Sequence, residues 1–125
     1  MSVPKSVRAW FVVHFAADMI VALPLLIWPQ GFLSLLGWTH FDPLAARLVA
    51  AALFAIGGMS LIVREEDRNT FQVMILFKLL WSGAAIIGIL VTIIQGYAAE
   101  LPWIVLAVFT AFFALWTYYY ILLRH

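Results

Sequence analysis

Charges are nearly missing from four long stretches of this chain, and that absence constrains the fold more than any motif. The stretches Ala9–Trp28, Leu44–Val63, Phe71–Gln95 and Pro102–Leu123 each approach or exceed the ~20 apolar residues that an α-helix needs to cross a bilayer core. Of the 125 residues, 66% are hydrophobic and 10% charged, against roughly 25% charged in soluble domains. A water-facing surface cannot be built from that inventory. The sequence predicts an all-α integral membrane four-helix bundle of up-down topology, a single transmembrane domain over residues 1–125.

The breaks between these stretches have their own chemistry. Lys5 and Arg8 precede an apolar run in the manner of a signal peptide. His14 and Asp18 interrupt that run and no cleavage site follows, so the expectation is a retained first helix. Trp28-Pro29-Gln30-Gly31 stops it, after a kink expected at Pro24. GFLSLLGW (Gly31–Trp38) is apolar but too short to cross, and reads as a short interfacial segment or a loop packed on the bundle end. Asp42 as N-cap and Pro43 at the first helical position start the second span. Asn69 with Gln72 resembles a capping box for the third, Gly96 ends it, and Pro102 opens the fourth.

Lys5, Arg8, Arg64, Arg68 and Arg124 fall on one side of a four-span chain, and only Arg47 lies near the other. The excess of positive residues places both termini and REEDRNT (Arg64–Thr70) in the cytoplasm of a multi-pass cell (inner) membrane protein. Trp28, Trp38, Tyr97 and Trp103 collect at the outer boundary, and Trp10 and Tyr118–Tyr120 at the inner one, as interfacial belts do. A net charge of +1 gives no nucleic-acid footprint. The absence of cysteine excludes disulfides and thiolate metal sites. The partners implied are the lipid bilayer and a second copy or a larger membrane complex.

Against that background the polar residues inside spans stand out. Counted at 1.5 Å per residue from the cytoplasmic end, His14 lies roughly 8 Å deep, Asp18 roughly 14 Å and Lys78 roughly 11 Å. A lone charge at the bilayer centre costs about 2.5–3.5 kcal/mol on the lenient insertion scale. An Asp18–Lys78 pair, with His14 one turn from the aspartate and Ser82 one turn from the lysine, would offset much of that cost. Two readings compete: a static ion pair that fixes helix neighbours, and a protonatable site in a polar pocket. Lys78 snorkelling alone to the interface is a third. His14 and Asp18 could supply two metal ligands, but no third donor is evident, and no metal or cofactor is assigned.

Helical spacing extends the polar face of the third span through Lys78, Ser82, Ala85 and Thr92. It gives the second span a face of Arg47, Ala51, Phe54 and Gly58, and the fourth one of Trp103, Thr110 and Thr117. Small residues such as Gly57-Gly58, Ala84 and Gly88 suit close helix packing. At the outer boundary Arg47 is expected to reach Asp42 or Glu100 in an interfacial salt bridge, with an anionic-ligand site as the sharper alternative.

The layout, together with ARLVAAALFAIGGMSLIV (Ala46–Val63) and the preceding WPQGFLSLLGW (Trp28–Trp38), resembles the small four-helix bacterial membrane proteins of the DoxX-like type. The resemblance implies an accessory subunit of a membrane oxidoreductase assembly, or no assigned role, and carries over no catalytic residue. Three function classes follow. The first is an accessory or scaffold subunit. The second is a small oligomeric proton-coupled or small-molecule transporter using Asp18 and Lys78. The third is a membrane enzyme acting on a lipophilic substrate. No inverted repeat, a feature of many transporters, is evident in the sequence.

If Asp18 and Lys78 are partners, Asp18→Asn alone strands an ammonium. The double change Asp18→Asn with Lys78→Met should then recover much of the stability lost. Unfolding of the four variants in bilayers should give a coupling energy well above the ~0.6 kcal/mol typical of membrane hydrogen bonds. Additive losses would mean that the two residues answer other groups.

Overall fold

The computed structural model describes residues 3–97 and 99–124. Among them the chain is all-α, with five helices: α1 (Lys5–Ile27), α2 (Pro29–Leu35), α3 (Pro43–Ile62), α4 (Arg68–Ile94) and α5 (Glu100–Arg124). All but α2 are long and apolar enough to cross a membrane, the architecture of a multi-pass membrane protein. The chain divides into two compact units, Met1–Asp67 and Arg68–His125.

In the first unit α1 and α3 form an antiparallel hairpin fastened at both ends by arginine. Arg8, at the start of α1, donates from Nη1 to the carbonyls of Arg64 (2.7 Å) and Glu66 (3.0 Å), just past the end of α3. Arg47, at the start of α3, donates from Nε to the Leu26 carbonyl at the end of α1 (3.1 Å). The last carbonyls of a helix lack an intrahelical donor and carry the negative end of its dipole, so a guanidinium suits both needs.

The expected start of α3 is observed. The Asp42 carboxylate accepts from the Ala45 amide (2.9 Å) and Pro43 follows as the first helical residue. Pro29 disfavours helical geometry at Trp28, so α1 stops there and Pro29 opens α2. Pro24 thus lies in the last turn of α1, where the Trp28 amide returns to its carbonyl (2.8 Å). The apolar segment after it is helical as far as Leu35 and ends at Gly37. There φ is +77°, and the amides of Gly37 and Trp38 turn back to the carbonyls of Ser34 and Leu33. Phe32, Leu33 and Phe41 pack on Leu25, Ala46 and Ala50, closing the turn end of this hairpin.

The second unit repeats the scheme with α4 and α5. Arg68 donates from Nε (2.6 Å) and from Nη2 to the Leu123 carbonyl, and Gln72 adds its Nε2 (2.9 Å). This corrects the capping box expected at Asn69. Helix α4 already begins at Arg68, and the Gln72 amide binds the end of α5 instead of reaching back to a cap. The Leu123 carbonyl, in the last turn of α5, has no intrahelical donor and takes these side chains instead. Gly96, with φ +94°, ends α4 through bonds from its own amide to Ile93 (3.0 Å) and from Tyr97 to Thr92 (3.4 Å). Helix α5 starts at Glu100, two residues before the proline expected to open it. Pro102 sits in the first turn, where its missing N–H costs nothing.

The two hairpins match at one constant offset. Arg8 and Arg68 fasten them, Phe11 and Phe71 are fully buried, and Asp18 and Lys78 are both buried at that offset. Ala22 and Ser82, Ile56 and Trp116, and Val63 and Leu123 are buried at the same offset. Both connections at the far end carry a positive-φ glycine, Gly37 and Gly96.

Two helices bury a face other than the one that carries their polar residues. Helix α3 buries Ala46, Ala50, Leu53, Ile56, Gly57 and Ser60, one position round from Arg47, Ala51 and Phe54, which are exposed. Helix α5 buries Pro102, Trp116, Tyr119 and Leu123, while Trp103 and Thr110 are exposed. Arg47 in fact turns along the helix to the Leu26 carbonyl, and Thr117 satisfies its hydroxyl on the Phe113 carbonyl (2.8 Å) within its own helix.

Replacing Arg68 with Met should lower the stability of the protein in bilayers or mild detergent by about 2 kcal/mol, the range for hydrogen bonds involving a charged group. Gln72→Leu should cost about 1 kcal/mol, as for a neutral bond. Denaturant titration of the two single variants and their double measures both terms.

Candidate intramembrane polar site

The 3.6-residue helical period puts Phe11, His14, Asp18 and Ala22 on one face of α1, and all four are buried. His14 and Asp18 are only 6% and 7% exposed. The imidazole Nε2 stands 3.4 Å from the carboxylate Oδ2. The structure thus brings these two candidates together, one helical turn apart.

Helix α3 seats the carboxylate with a glycine. A Cβ on Gly57 would lie 2.7 Å from the Asp18 Cβ and 3.2 Å from its Oδ2. Only a residue without a side chain lets the two helices close over the acid at this level. The neighbouring Gly58 faces open space and has no such duty.

Lys78 takes the matching position on α4 and is fully buried. Its Nζ lies 4.7 Å from the centre of the Trp116 ring on α5. That ring stacks on Phe112, with centroids 5.8 Å apart and planes inclined by 21°. An ammonium over an indole face is attracted by the ring quadrupole, by about 2 kcal/mol or more when both groups are out of water. Ser82, one turn further along α4, is 2% exposed.

Asp18 and Lys78 belong to different units; within its own hairpin the acid lies beside His14 and Gly57, and the base lies over Trp116. Among the described residues, no group of three His, Asp or Glu side chains is placed to hold a metal. What the His14–Asp18 pair can do is hold a proton. A carboxylate and an imidazole at this separation can share one, and slight tightening makes the contact a charge-assisted hydrogen bond.

Asp42, Arg47 and Glu100 are arranged differently from the interfacial bridge expected of Arg47. Asp42 is occupied as the cap of α3, and Arg47 binds the Leu26 carbonyl while remaining exposed. The Asp42–Arg47 bridge is thus replaced by two helix-end contacts, because each side chain has an unsatisfied backbone group nearer than the other. Glu100 stands in the first turn of α5, where a carboxylate favours the helix dipole.

Sequence reasoning missed Gly57 and Trp116 as the groups facing the acid and the base. The signal for both was the antiparallel register. Once Arg8 is tied to the end of α3 and Arg68 to the end of α5, counting inward along each pair brings Gly57 to Asp18 and Trp116 to Lys78. No protein-family model, curated protein or solved structure matches the chain.

Gly57→Ala should destabilise the protein by about 1–3 kcal/mol, the cost of overpacking a rigid contact. Gly58→Ala should be neutral, or stabilising by up to ~1 kcal/mol from helix propensity. Paired unfolding curves of the two variants check the seat of Asp18 directly.

Proposed function

We propose that the protein is a small multi-pass protein of the cell membrane that takes up and releases a proton at His14–Asp18, as one step of proton-coupled or small-molecule transport. The observation that carries this reading is the His14–Asp18 contact of 3.4 Å, with both side chains buried inside a helix long enough to span a bilayer. Ionisable residues are costly at that depth and persist there mainly where they mark ion pathways or proton relays. Lys78 and Ser82 are buried in the second hairpin, a basic and a hydroxyl group likewise held within a span. The clustering of Lys5, Arg8, Arg64, Arg68 and Arg124 at the ends of the hairpins supports cytoplasmic termini.

A second reading keeps the accessory-subunit role implied by the DoxX-like resemblance. It is favoured by the Lys78–Trp116 contact, which gives the lysine a fixed partner within its own hairpin and requires no exchangeable ligand. In that case the buried polar residues serve only to set helix neighbours.

Proton binding separates the two. Purified wild-type protein in bilayers should bind one more proton per chain across a pH titration than Asp18→Asn does, and infrared difference spectra should show a carboxylic-acid band that the variant lacks. His14→Gln should move the pH at which that band appears. A carboxylate that stays in one protonation state throughout would leave the accessory reading in place.

A further inference from the structure

Arg47 is the only lysine or arginine between Ala9 and Val63. It lies where α1 finishes and α3 begins, and its Nε donates to the Leu26 carbonyl (3.1 Å). That bond uses one of the guanidinium N–H groups and sets the direction of the rest, because the group is planar and rigid. Among the described residues, the remaining N–H groups meet no carbonyl and no carboxylate. Asp42, the nearest acid along the chain, is turned to the Ala45 amide (2.9 Å). The guanidinium itself stays exposed.

The side chains around this cation are apolar and exposed. Leu44 and Leu48, one turn before Arg47 and directly after it on α3, are 67% and 62% exposed. Ile27 and Trp28, which follow Leu26, are 74% and 60% exposed. Both helices are long and apolar enough to cross a bilayer, and the end of a span is the level where hydrocarbon gives way to headgroups. Trp28 is fixed there. A Cβ on Gly31 would collide with the indole, so the ring rests on bare backbone at the start of α2. A tryptophan held at that level is an interfacial anchor, with an apolar body and a polar N–H.

We propose that this end of the first hairpin binds a phospholipid, with the lipid phosphate on the remaining N–H groups of Arg47 and the acyl chains along Ile27, Leu44 and Leu48. The charges are complementary, and a guanidinium fork matches two phosphate oxygens where an ammonium offers a point charge. A free anion would satisfy the cation and leave the apolar side chains beside it uncovered, whereas a diacyl phospholipid covers both. The site is separate from the proton site. Asp18 lies eight residues before Leu26, roughly 12 Å along α1, and lipid binding at Arg47 does not depend on a proton being held there.

Native mass spectrometry of the whole protein, with phosphatidylglycerol or diacylglycerol of the same acyl chains added to the detergent, measures the retained lipid. The wild-type protein should hold phosphatidylglycerol at concentrations at which diacylglycerol is lost. Arg47→Gln, whose side-chain amide can still donate to the Leu26 carbonyl, should weaken that binding by roughly tenfold or more, the range for a hydrogen bond to a charged group. Arg47→Lys keeps the charge without the fork and should fall between the two. Inorganic phosphate in large excess should not displace the lipid. Circular dichroism in lipid-free detergent checks the fold of each variant, and the comparison of the two lipids on the wild-type protein decides the question even if Arg47→Gln does not fold. Equal retention of the two lipids overturns the proposal, as does undiminished phosphatidylglycerol binding by a folded Arg47→Gln. Displacement by inorganic phosphate would mark a site for a free anion and overturns it as well.

Discussion

Hydrocarbon offers a polar group nothing to bind, so every such group within a membrane span needs a partner supplied by the protein. That constraint organises this structure from the helix ends inward. The backbone is satisfied by folding each span as a helix. Carbonyls left over at the ends of α1 and α5 and in the turn after α3 are then met by Arg47, by Arg68 and Gln72, and by Arg8 from the neighbouring helix. The hydroxyls of Ser60, Thr92 and Thr117 turn back onto carbonyls four residues earlier in their own helices. His14 meets Asp18, and Lys78 meets an aromatic face.

The same economy explains why the two hairpins share a plan. Each needs a cation at the start of its first helix to close the end of its second, and each carries its ionisable residue at the same distance beyond that cation. The register set by the arginine determines what the ionisable residue faces. In the first hairpin that is Gly57, which admits a carboxylate close to backbone. In the second it is Trp116, whose ring accommodates an ammonium. The opposite charges of Asp18 and Lys78 thus come with opposite surroundings, a bare helix surface for the acid and an aromatic face for the base.

Much of the layout was legible because it follows from local rules. Apolar length marked four spans to within a few residues of α1, α3, α4 and α5. Asp42-Pro43 and Gly96 marked a start and a stop through the few backbone geometries those residues favour. The burial of His14, Asp18, Lys78 and Ser82 was legible too, since a costly residue in a span is placed away from lipid. The inward faces of α3 and α5 were not. A wheel orders residues around a single helix, but which sector turns inward depends on the neighbour.

The sequence by itself determined that this protein is helical, that four segments can cross a bilayer, and which polar residues had to be hidden there, because hydropathy and capping act over a turn or two of chain. The tertiary structure decided the partners. Asn69 and Gln72 had the spacing of a cap, yet Gln72 went to Leu123; Asp42 and Arg47 had the charges of a bridge, yet each went to a helix end. In each case an unsatisfied backbone group lay closer than the partner suggested by sequence spacing, and that proximity exists only once the helices are paired in register.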